Sequence, residues 1–546
     1  MDATAAPFAH RTARWAVGAG VGLVAAASGL GVAELVAVAT GPDTSPVVAV
    51  GSGVIELTPR VLQEFAISTF GSGHRPVLVA GVVTILAVVT AVAGCAALRR
   101  FVVGASLLLA LTGIGLVAAA TTAQAGIAGA LPSLAAAITS VAVLAILVGM
   151  TRRVPGRDRE HARAPQPAPA PAESTADRPV TPAAEERAHP VGRRTLLLTA
   201  AGTAGVAVAA GVGGRMLQGR RFDVAASRSA ISLPAPADPA PPLPAGYRYR
   251  VDGLSPFFSP ARDFYRVDTA LVIPQVPAHQ WILRIGGSVE RPLEITFDEL
   301  LDRDLTERDI TLSCVSNEVG GPYVDTGRWL GFPLDQLLRE AGPRGDADQL
   351  LSTSQDGMTI GTPLEAVLDG RDALLAVGLN GEPLPARNGF PARMIVPGLY
   401  GYTSATKWVV ELEVTRFDEV DAYWTARDWD PIGRVKTASR IDLPRPLEQL
   451  PQGEVTVAGV AWAQHRGISA AQVRVDGGQW QETELTEPVS DDTWRQWRTT
   501  VRVTPGSRRL EVRAADGTGA FQPEERVDPF PDGATGWHSV AVTVTE

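Results

Sequence analysis

The distribution of apolar and polar residues divides the chain into two unlike parts. Up to about residue 217, charge-poor apolar stretches recur that reach the roughly 20 residues needed to cross a bilayer. They occupy residues 15–39, 77–98, 101–122, 127–150 and 195–214. A core helix of a soluble protein rarely stays apolar on every face over this length. The pattern therefore predicts an N-terminal α-helical membrane region, with four transmembrane helices in residues 1–152 and a fifth in residues 193–217.

Basic residues at the ends of these stretches predict the topology. Four clusters flank the spans: His10 with Arg11 and Arg14, Arg99 with Arg100, Arg152 with Arg153, and Arg193 with Arg194. Placing all four in the cytoplasm satisfies the positive-inside tendency with a simple zigzag. We therefore expect a multi-pass plasma membrane protein in contact with the lipid bilayer. Its N-terminus is predicted to be cytoplasmic and the residues after the fifth span extracytoplasmic.

Three features accompany the spans. Gly192-Arg193-Arg194-Thr195-Leu196 resembles a twin-arginine export signal, which carries folded cargo, although the two arginines would equally serve to anchor the helix. Residues 153–192 and 218–246 contain few large apolar residues, so they are predicted to be a disordered cytoplasmic linker and a Pro-rich linker. The apolar spacing of residues 57–70 predicts a short helix at the outer membrane face.

Shorter periodicities replace the long apolar stretches in the rest of the chain. In residues 247–446, β-rich runs such as 281–285 alternate with helical stretches such as 333–341, between dense turn signals. This mixture predicts an α+β domain. Residues 447–546 contain about seven short runs rich in β-branched and aromatic residues, as in an all-β immunoglobulin-like sandwich.

Charge and cysteine content narrow the function. The net charge of −9 includes no basic block, so no nucleic-acid partner is indicated. Cys95 lies in an apolar stretch and Cys314 in the α+β region, so we expect no disulfide between them. Cys314 is then a core residue, a nucleophile or a metal ligand. A hydrolase or transpeptidase nucleophile needs a nearby histidine, and none of the histidines after the fifth span has a recognisable catalytic sequence context. They are His279, His465 and His538.

Four segments in a fixed order resemble one enzyme family. Residues 311–317, Thr-Leu-Ser-Cys-Val-Ser-Asn, resemble the segment around the molybdenum-ligating cysteine of the sulfite oxidase family. Residues 263–266, 379–393 and 396–408 are similar to other parts of its cofactor-binding region. The resemblance runs from about residue 254 to the C-terminus. It implies a membrane-anchored bacterial form of a molybdopterin-dependent oxidoreductase, with a molybdenum-molybdopterin cofactor and a dimerisation-type domain at residues 447–546.

The resemblance also implies the site residues. Cys314 would be the catalytic residue and metal ligand, since a thiolate is a soft ligand suited to a high-valent metal. Arg393 offers a planar fork and Lys407 a point charge for the pyrophosphate tail of the pterin. The implied cofactor-binding residues are Tyr265, Arg266, Cys314, Asn388, Arg393, Ser404, Thr406 and Lys407. Asn317 and Arg328 are candidate substrate contacts.

Departures from the family argue against sulfite itself as the substrate. Sulfite oxidases follow the cysteine motif with basic residues, whereas this chain has Glu318-Val319 there. Residues 355–360 contain no tyrosine, although sulfite oxidases carry an active-site tyrosine in the matching segment. A sulfite dianion gains most from nearby cations, so an acidic residue beside the metal weakens its binding. The cofactor prediction is unaffected.

The predicted function is two-electron oxygen-atom transfer on a small, sulfur-containing or similar substrate. The spans contain no histidine pairs and the chain no Cys-x-x-Cys-His motif, so we expect no haem in this chain. Electrons would therefore pass to or from a separate cytochrome or quinone-linked partner. A homodimer through the C-terminal domain is also expected. The alternative is a non-catalytic binding or scaffold protein that retains the molybdopterin-enzyme fold.

Overall fold

A computed structural model describes residues 6–58, 74–121, 127–153, 192–221 and 223–546. The chain forms two compact units, Met1–Phe222 and Asp223–Glu546. Nearly all of the surface helix predicted at residues 57–70 and of the linker predicted at 153–192 lies outside the described residues.

The described part of the first unit is helical. Its α-helices are α1 (Ala6–Thr40), α2 (Pro46–Leu57), α3 (His74–Arg99), α4 (Phe101–Thr121), α5 (Leu131–Arg153) and α6 (Arg193–Arg221). All except α2 contain a segment long and apolar enough to cross a membrane, which agrees with the five predicted spans. Helix α6 continues past the predicted span end at residue 217, because Gln and Arg favour a helix even where the sequence becomes polar.

A polar contact joins the first and last of these helices. Glu34 of α1 is buried and accepts hydrogen bonds from Ser45 Oγ at 2.7 Å and from Gln218 Nε2 at 3.0 Å. Its Oε1 also lies 3.3 Å from Nη2 of Arg215, which like Gln218 belongs to α6. A carboxylate inside an apolar segment is costly unless it is partnered, and here it connects two helices.

The second unit begins with an α+β region that confirms the predicted mixture of short strands and helices. Its strands are β1 (Ile282–Gly287), β2 (Leu293–Thr296), β3 (Thr306–Ser313), β4 (Val324–Pro333), β5 (Gln349–Ser354), β6 (Thr359–Pro363), β7 (Leu374–Leu379), β8 (Glu382–Pro383), β9 (Arg393–Ile395) and β10 (Val409–Thr415). Its helices are α7 (Ala225–Ser229), α8 (Phe297–Leu301), α9 (Leu334–Ala341), α10 (Leu364–Leu368) and α11 (Gly401–Ser404).

These strands form two sheets around one hydrophobic core. The first has the order β2-β1-β10-β5-β6, and the second has the order β3-β4-β7-β8 with β9 also paired to β7. Only β1 and β10 pair in parallel among these strands. Helix α9 packs its leucines, Leu334, Leu337 and Leu338, into the core, while its polar residues face outward.

Apart from a short 3-10 helix at Thr425–Arg427, the regular elements of the second unit after β10 are strands. They are β11 (Ala438–Leu443), β12 (Gln449–Pro451), β13 (Gly453–Trp462), β14 (Ile468–Val475), β15 (Gln481–Glu482), β16 (Glu484–Leu485), β17 (Arg495–Val503), β18 (Gly506–Asp516) and β19 (His538–Thr545). They form one sheet ordered β11-β13-β17-β16 and another ordered β12-β19-β18-β14-β15. Alternate residues Val540, Val542 and Val544 of β19 enter the shared core beside Trp497. Two sheets over one core agree with the predicted all-β region; its immunoglobulin-like topology stays a prediction.

Two sets of contacts fix strand β3, which leads to Cys314. The Pro-rich segment after α7 lies along its edge, where Asp238 forms a β-bridge to Thr306. From the C-terminal β region, Gln464 Nε2 donates to Thr311 O at 3.1 Å and to Ser313 Oγ at 2.7 Å. The residues predicted as a Pro-rich linker therefore pack, in part, against the α+β region.

Candidate functional site

Cys314 is the first residue of the connection between β3 and β4, residues 314–323. Its N–H donates to Tyr323 O at 3.0 Å, and its carbonyl accepts from Asn317 N at 3.1 Å. The Asn317 side-chain oxygen closes the turn by accepting from Tyr323 N at 2.8 Å. The thiol is therefore presented by a short, internally bonded loop.

The surroundings of the thiol do not resemble those of a nucleophilic cysteine. Cys314 is only 8% exposed, and burial raises the pKa of its thiol, although the Ser316 hydroxyl at 2.9 Å and the more distant Lys407 lower it. A catalytic nucleophile needs a lowered pKa and a histidine base. Within the described residues no histidine forms a hydrogen bond with this thiol. The geometry therefore favours a ligand over a hydrolytic nucleophile.

Two cations that are 14 residues apart in sequence meet at one place. Arg393 begins β9, and its backbone forms a β-bridge with that of Lys407. Paired positions in a bridge put both side chains on the same face. The Arg393 guanidinium is 4% exposed and donates to the carbonyl oxygens of Asn388 at 3.1 Å and Ala405 at 3.3 Å. No carboxylate among the described residues pairs with it, and burial lowers its pKa to about 10.

Lys407 and Arg266 share one carboxylate. Lys407 Nζ and Arg266 Nε lie 2.8 Å and 2.7 Å from Asp268 Oδ2, and all three side chains are largely buried. Burial lowers the pKa of Lys407 to about 8, against the opposing effect of Asp268. Burial would raise the pKa of Asp268, but Lys407 and Arg266 together lower it. With Arg393 included, three cations face one anion, so the region carries an excess of two positive charges.

The segment just before Arg393 contains unsatisfied polar atoms. Asn388 is fully buried, yet both its Nδ2 and its Oδ1 lack a hydrogen-bond partner among the described residues. The next residue, Gly389, has a φ of +113°, and a Cβ there would lie 3.0 Å from the Cβ of Arg393 and 3.2 Å from that of Lys407. Buried amide groups are normally bonded, so the orphaned Asn388 indicates a place for a polar ligand.

Tyr265 connects the cations with the cysteine. Its hydroxyl lies close to Gly401, where a Cβ would be 3.8 Å from it and 3.7 Å from Ser313 O. Burial raises the pKa of Tyr265, Cys314 raises it further, and Arg393 opposes the shift. The structure thus brings Tyr265, Cys314 and Arg393 within electrostatic reach of one another.

Two predicted ligand residues have internal partners instead. The Ser404 hydroxyl donates to the carbonyl oxygens of Leu399 at 3.2 Å and Tyr400 at 3.0 Å. Thr406 Oγ1 lies 2.5 Å from Ser352 Oγ in a buried pair. Both hydroxyls hold the backbone that presents Lys407, so their geometry favours a positioning role.

Of the two candidate substrate residues, only one lines the cleft beside Cys314. Asn317 lines a narrow cleft beside Cys314, although its carboxamide oxygen is used within the loop. Arg328 lies on β4, four residues beyond Val324, and makes a two-bond contact with Asp309 at 2.7 Å and 2.8 Å. Because Arg328 does not line the cleft, its geometry favours a structural ion pair.

The cleft includes residues that sequence reasoning did not assign. Tyr400, Trp462, Ser439 and Gln522 form much of its wall opposite the Cys314 loop. Three of them come from the C-terminal β region, so no local motif near Cys314 could have indicated them. Tyr400 lies in the family-like segment 396–408, but only the fold shows that it forms part of the cleft wall. Burial raises the pKa of Tyr400 to about 12.

A family model for the oxidoreductase molybdopterin binding domain matches residues 270–424. This span contains Cys314, Asn388, Arg393 and Lys407, and it begins just after Asp268.

Curated relatives extend the match beyond this domain. Mitochondrial sulfite oxidase of Mus musculus is 29% identical over 327 residues, which cover 50% of this chain and 59% of the relative. Inducible nitrate reductase (NADH) 2 of Glycine max is 28% identical over 321 residues, covering 47% of this chain and 36% of the relative. This chain therefore spans less than two thirds of either relative.

One solved structure also matches part of the chain. The sulfane dehydrogenase SoxCD from Paracoccus pantotrophus has a TM-score of 0.47 and 23% identity, with 53% of this chain and 82% of that chain covered. The range matched by the family model includes Cys314 and Arg393, and the model agrees with the similarity to sulfite oxidases. The chain therefore contains an oxidoreductase molybdopterin binding domain and is similar to sulfite oxidases.

Proposed function

We propose that the protein is a membrane-anchored, extracytoplasmic molybdenum cofactor enzyme that transfers an oxygen atom to or from a small, sulfur-containing or similar substrate. The observation that carries the proposal is the buried cluster of Arg393, Lys407 and Asn388 behind Cys314. It combines an excess of positive charge with orphaned hydrogen-bonding atoms.

These residues fit the implied cofactor. The pyrophosphate tail of a molybdopterin is anionic, and Arg393 has no carboxylate partner among the described residues to neutralise it. A buried charge without a counter-ion is costly, so a bound phosphate would relieve that cost. Asn388 would supply one donor and one acceptor, and the missing side chain of Gly389 leaves room for Arg393 and Lys407 to pack beside it. Tyr265 and Arg266 would complete the pocket, while Ser404 and Thr406 would position Lys407.

When bound, the cofactor supplies a metal that cycles between oxidation states two electrons apart, with Cys314 as its protein ligand. In the oxidising direction the substrate gains one oxygen atom from water, and two protons and two electrons are released. A separate cytochrome or quinone-linked partner accepts the electrons; the reducing direction is the reverse. The chain's own residues hold the cofactor, exclude bulk water and orient the substrate in the cleft.

The five membrane-length helices support the proposed anchor. The orientation, with residues after α6 outside the cytoplasm, rests on the arginines that end α3 and α5 and begin α6. Export through the twin-arginine-like start of α6 and homodimerisation through the C-terminal β region belong to the same proposal.

The test is the molybdenum content of the purified full-length protein, made in a host that synthesises the cofactor. We expect near-stoichiometric metal in the wild type and a loss of most of it in Cys314→Ser. Cys95→Ser is the matched control, because Cys95 lies in α3, in the other compact unit, where its thiol donates to the Trp15 carbonyl at 3.4 Å. Full metal and full activity in Cys314→Ser would refute the proposal. Metal without turnover on any oxygen donor or acceptor would instead support the non-catalytic alternative.

A further inference from the structure

The cleft beside Cys314 is lined almost entirely by neutral residues. Its walls include Asn317, Glu318, Tyr400, Trp462, Ser439 and Gln522, and the remaining described residues that line it are small or apolar. Among all of these described residues, Glu318 alone carries a formal charge. A substrate that approaches Cys314 through this cleft therefore meets one carboxylate and otherwise neutral groups.

Neighbouring cations do not neutralise Glu318. Its side chain is exposed, and no cation of the described residues forms an ion pair with it. Arg440, the cation bound to the same loop, has its guanidinium divided among Asp442 at 2.7 Å, Gly321 O at 2.9 Å and Ser255 Oγ at 2.8 Å. Lys436 is likewise held by Asp532 Oδ1 and Gly533 O, each at 2.8 Å.

The loop that carries Glu318 is fixed from the C-terminal β region. Gly321 N donates to Glu318 O at 2.8 Å, and Arg440 holds the Gly321 carbonyl from the other side. His538 packs so closely on Gly320 that a Cβ there would lie 2.1 Å from its Cδ2. The backbone of Glu318 is thus held at the cleft, which keeps its carboxylate near the approach to Cys314.

We propose that the cleft admits an uncharged or positively charged substrate and that Glu318 excludes anions such as sulfite. This inference rests on the proposed function, because it names the substrate class of that site. A carboxylate several ångströms from a bound anion raises the free energy of binding by an amount that falls with distance and with solvent screening. An uncharged oxide or thioether is not subject to this repulsion.

The test compares an anion with a neutral substrate in the wild type, Glu318→Gln and Glu318→Lys, all as full-length protein. Inorganic sulfate binding is measured by calorimetry at low ionic strength. Turnover is measured with sulfite and two equivalents of ferricyanide, which yield sulfate, two protons and two ferrocyanides with water as oxygen source. The neutral probe is dimethyl sulfoxide, reduced to dimethyl sulfide and water by two equivalents of reduced methyl viologen and two protons.

We expect Glu318→Gln to bind sulfate about tenfold more tightly than the wild type, and Glu318→Lys more tightly still, because one unit charge in a partly screened site changes binding by about 1.4 kcal/mol. Raising the salt concentration should shrink both gains. The kcat/KM for dimethyl sulfoxide should change less than that for sulfite. Glu454→Lys, at an exposed position on β13, is the control for net charge and should change neither.

Wild-type protein that prefers sulfite to dimethyl sulfoxide would overturn the inference, as would unchanged sulfate affinity in Glu318→Lys. Sulfate calorimetry also reports on molybdenum-free protein. A failure of charge selection is therefore distinguishable from a failure of the proposed function, which appears as missing metal.

Discussion

The two sides of Cys314 are built on opposite electrostatic principles. On one side, Arg393, Lys407 and Arg266 face a single carboxylate, that of Asp268, in a largely buried pocket. On the other side, the described walls of the cleft offer one carboxylate, that of Glu318, and no cation. On the proposed function, the cationic region near Cys314 would attract a large anion, whereas the cleft beside Cys314 would repel a small one. This difference would let the site hold an anionic cofactor tightly without drawing inorganic anions onto the metal.

The two sides also differ in how their polar groups are satisfied. On the cofactor side, Asn388 has two orphaned atoms, and the described hydrogen-bond acceptors of Arg393 are all carbonyl oxygens. On the cleft side, Ser439 donates to Gln522 Oε1 at 2.8 Å, and Asn317 is bonded within its loop. A pocket with unsatisfied buried groups is prepared for a permanent ligand, whereas a satisfied wall suits a ligand that comes and goes.

Removing the Arg393 charge should have the largest effect on the difference between the cofactor side and the cleft side. We expect Arg393→Met to weaken cofactor retention about 100-fold, because charge-assisted hydrogen bonds to phosphate are worth about 1.5–3 kcal/mol each. The melting temperature of cofactor-free protein should change little, because the lost bonds to carbonyl oxygens are offset by removal of a buried charge. Molybdenum content and thermal unfolding measure the two effects. A large loss of stability with full metal content would show that Arg393 is only structural.

The pH dependence of pyrophosphate binding tests whether the Lys407 ammonium contacts phosphate. Burial lowers its pKa to about 8 in the cofactor-free protein, so its ammonium charge is present below that pH and lost above it. The pyrophosphate affinity of wild type relative to Lys407→Met should therefore fall about tenfold between pH 7 and pH 9, as the protonated fraction of Lys407 falls. The titration of pyrophosphate itself affects both proteins equally, so it cancels in the ratio of their affinities. A ratio that stays flat in calorimetry across this range would exclude Lys407 from phosphate binding.

Replacing Asn388 should have the smallest effect of the three. It is expected to weaken cofactor binding without lowering the stability of the cofactor-free protein. Asn388→Leu is expected to weaken cofactor binding about fivefold, through lost hydrogen bonds worth about 1 kcal/mol, and to leave the cofactor-free protein as stable or more stable. Asn380 provides the contrast, since its amide accepts from Arg328 N and donates to Ser259 O, both at 2.9 Å. Asn380→Leu should lower the free energy of unfolding by about 2 kcal/mol and leave cofactor binding unchanged. Equal destabilisation by both variants in urea unfolding would mean that Asn388 has no ligand-binding role.

Features that depend on local sequence were predictable. Five helices of membrane length follow from hydropathy alone. The buried alternate valines of β19 follow from its period-two alternation. The four ordered motifs around Cys314 indicated the family, which the family model and relatives confirm. In these cases the signal lies within one element or one contiguous motif.

Features that depend on contacts between distant segments were not predictable. Arg328 looked available for substrate, but the register of β3 and β4 sets it opposite Asp309. His538 was judged to lack a catalytic context, and the fold places it against the loop after Cys314, with Nδ1 accepting from Ile441 N at 2.9 Å. The orphaned state of Asn388 concerns missing partners, which no sequence pattern records. Such features require the tertiary fold.

The contact of His538 with Gly320 has a consequence for biosynthesis. His538 begins β19, and this strand leaves the ribosome long after the segment that contains Cys314. A nascent chain that has already released Cys314 therefore still lacks the strand against which the Cys314 loop packs. On the proposed function, cofactor insertion into a completed site then follows the synthesis of β19.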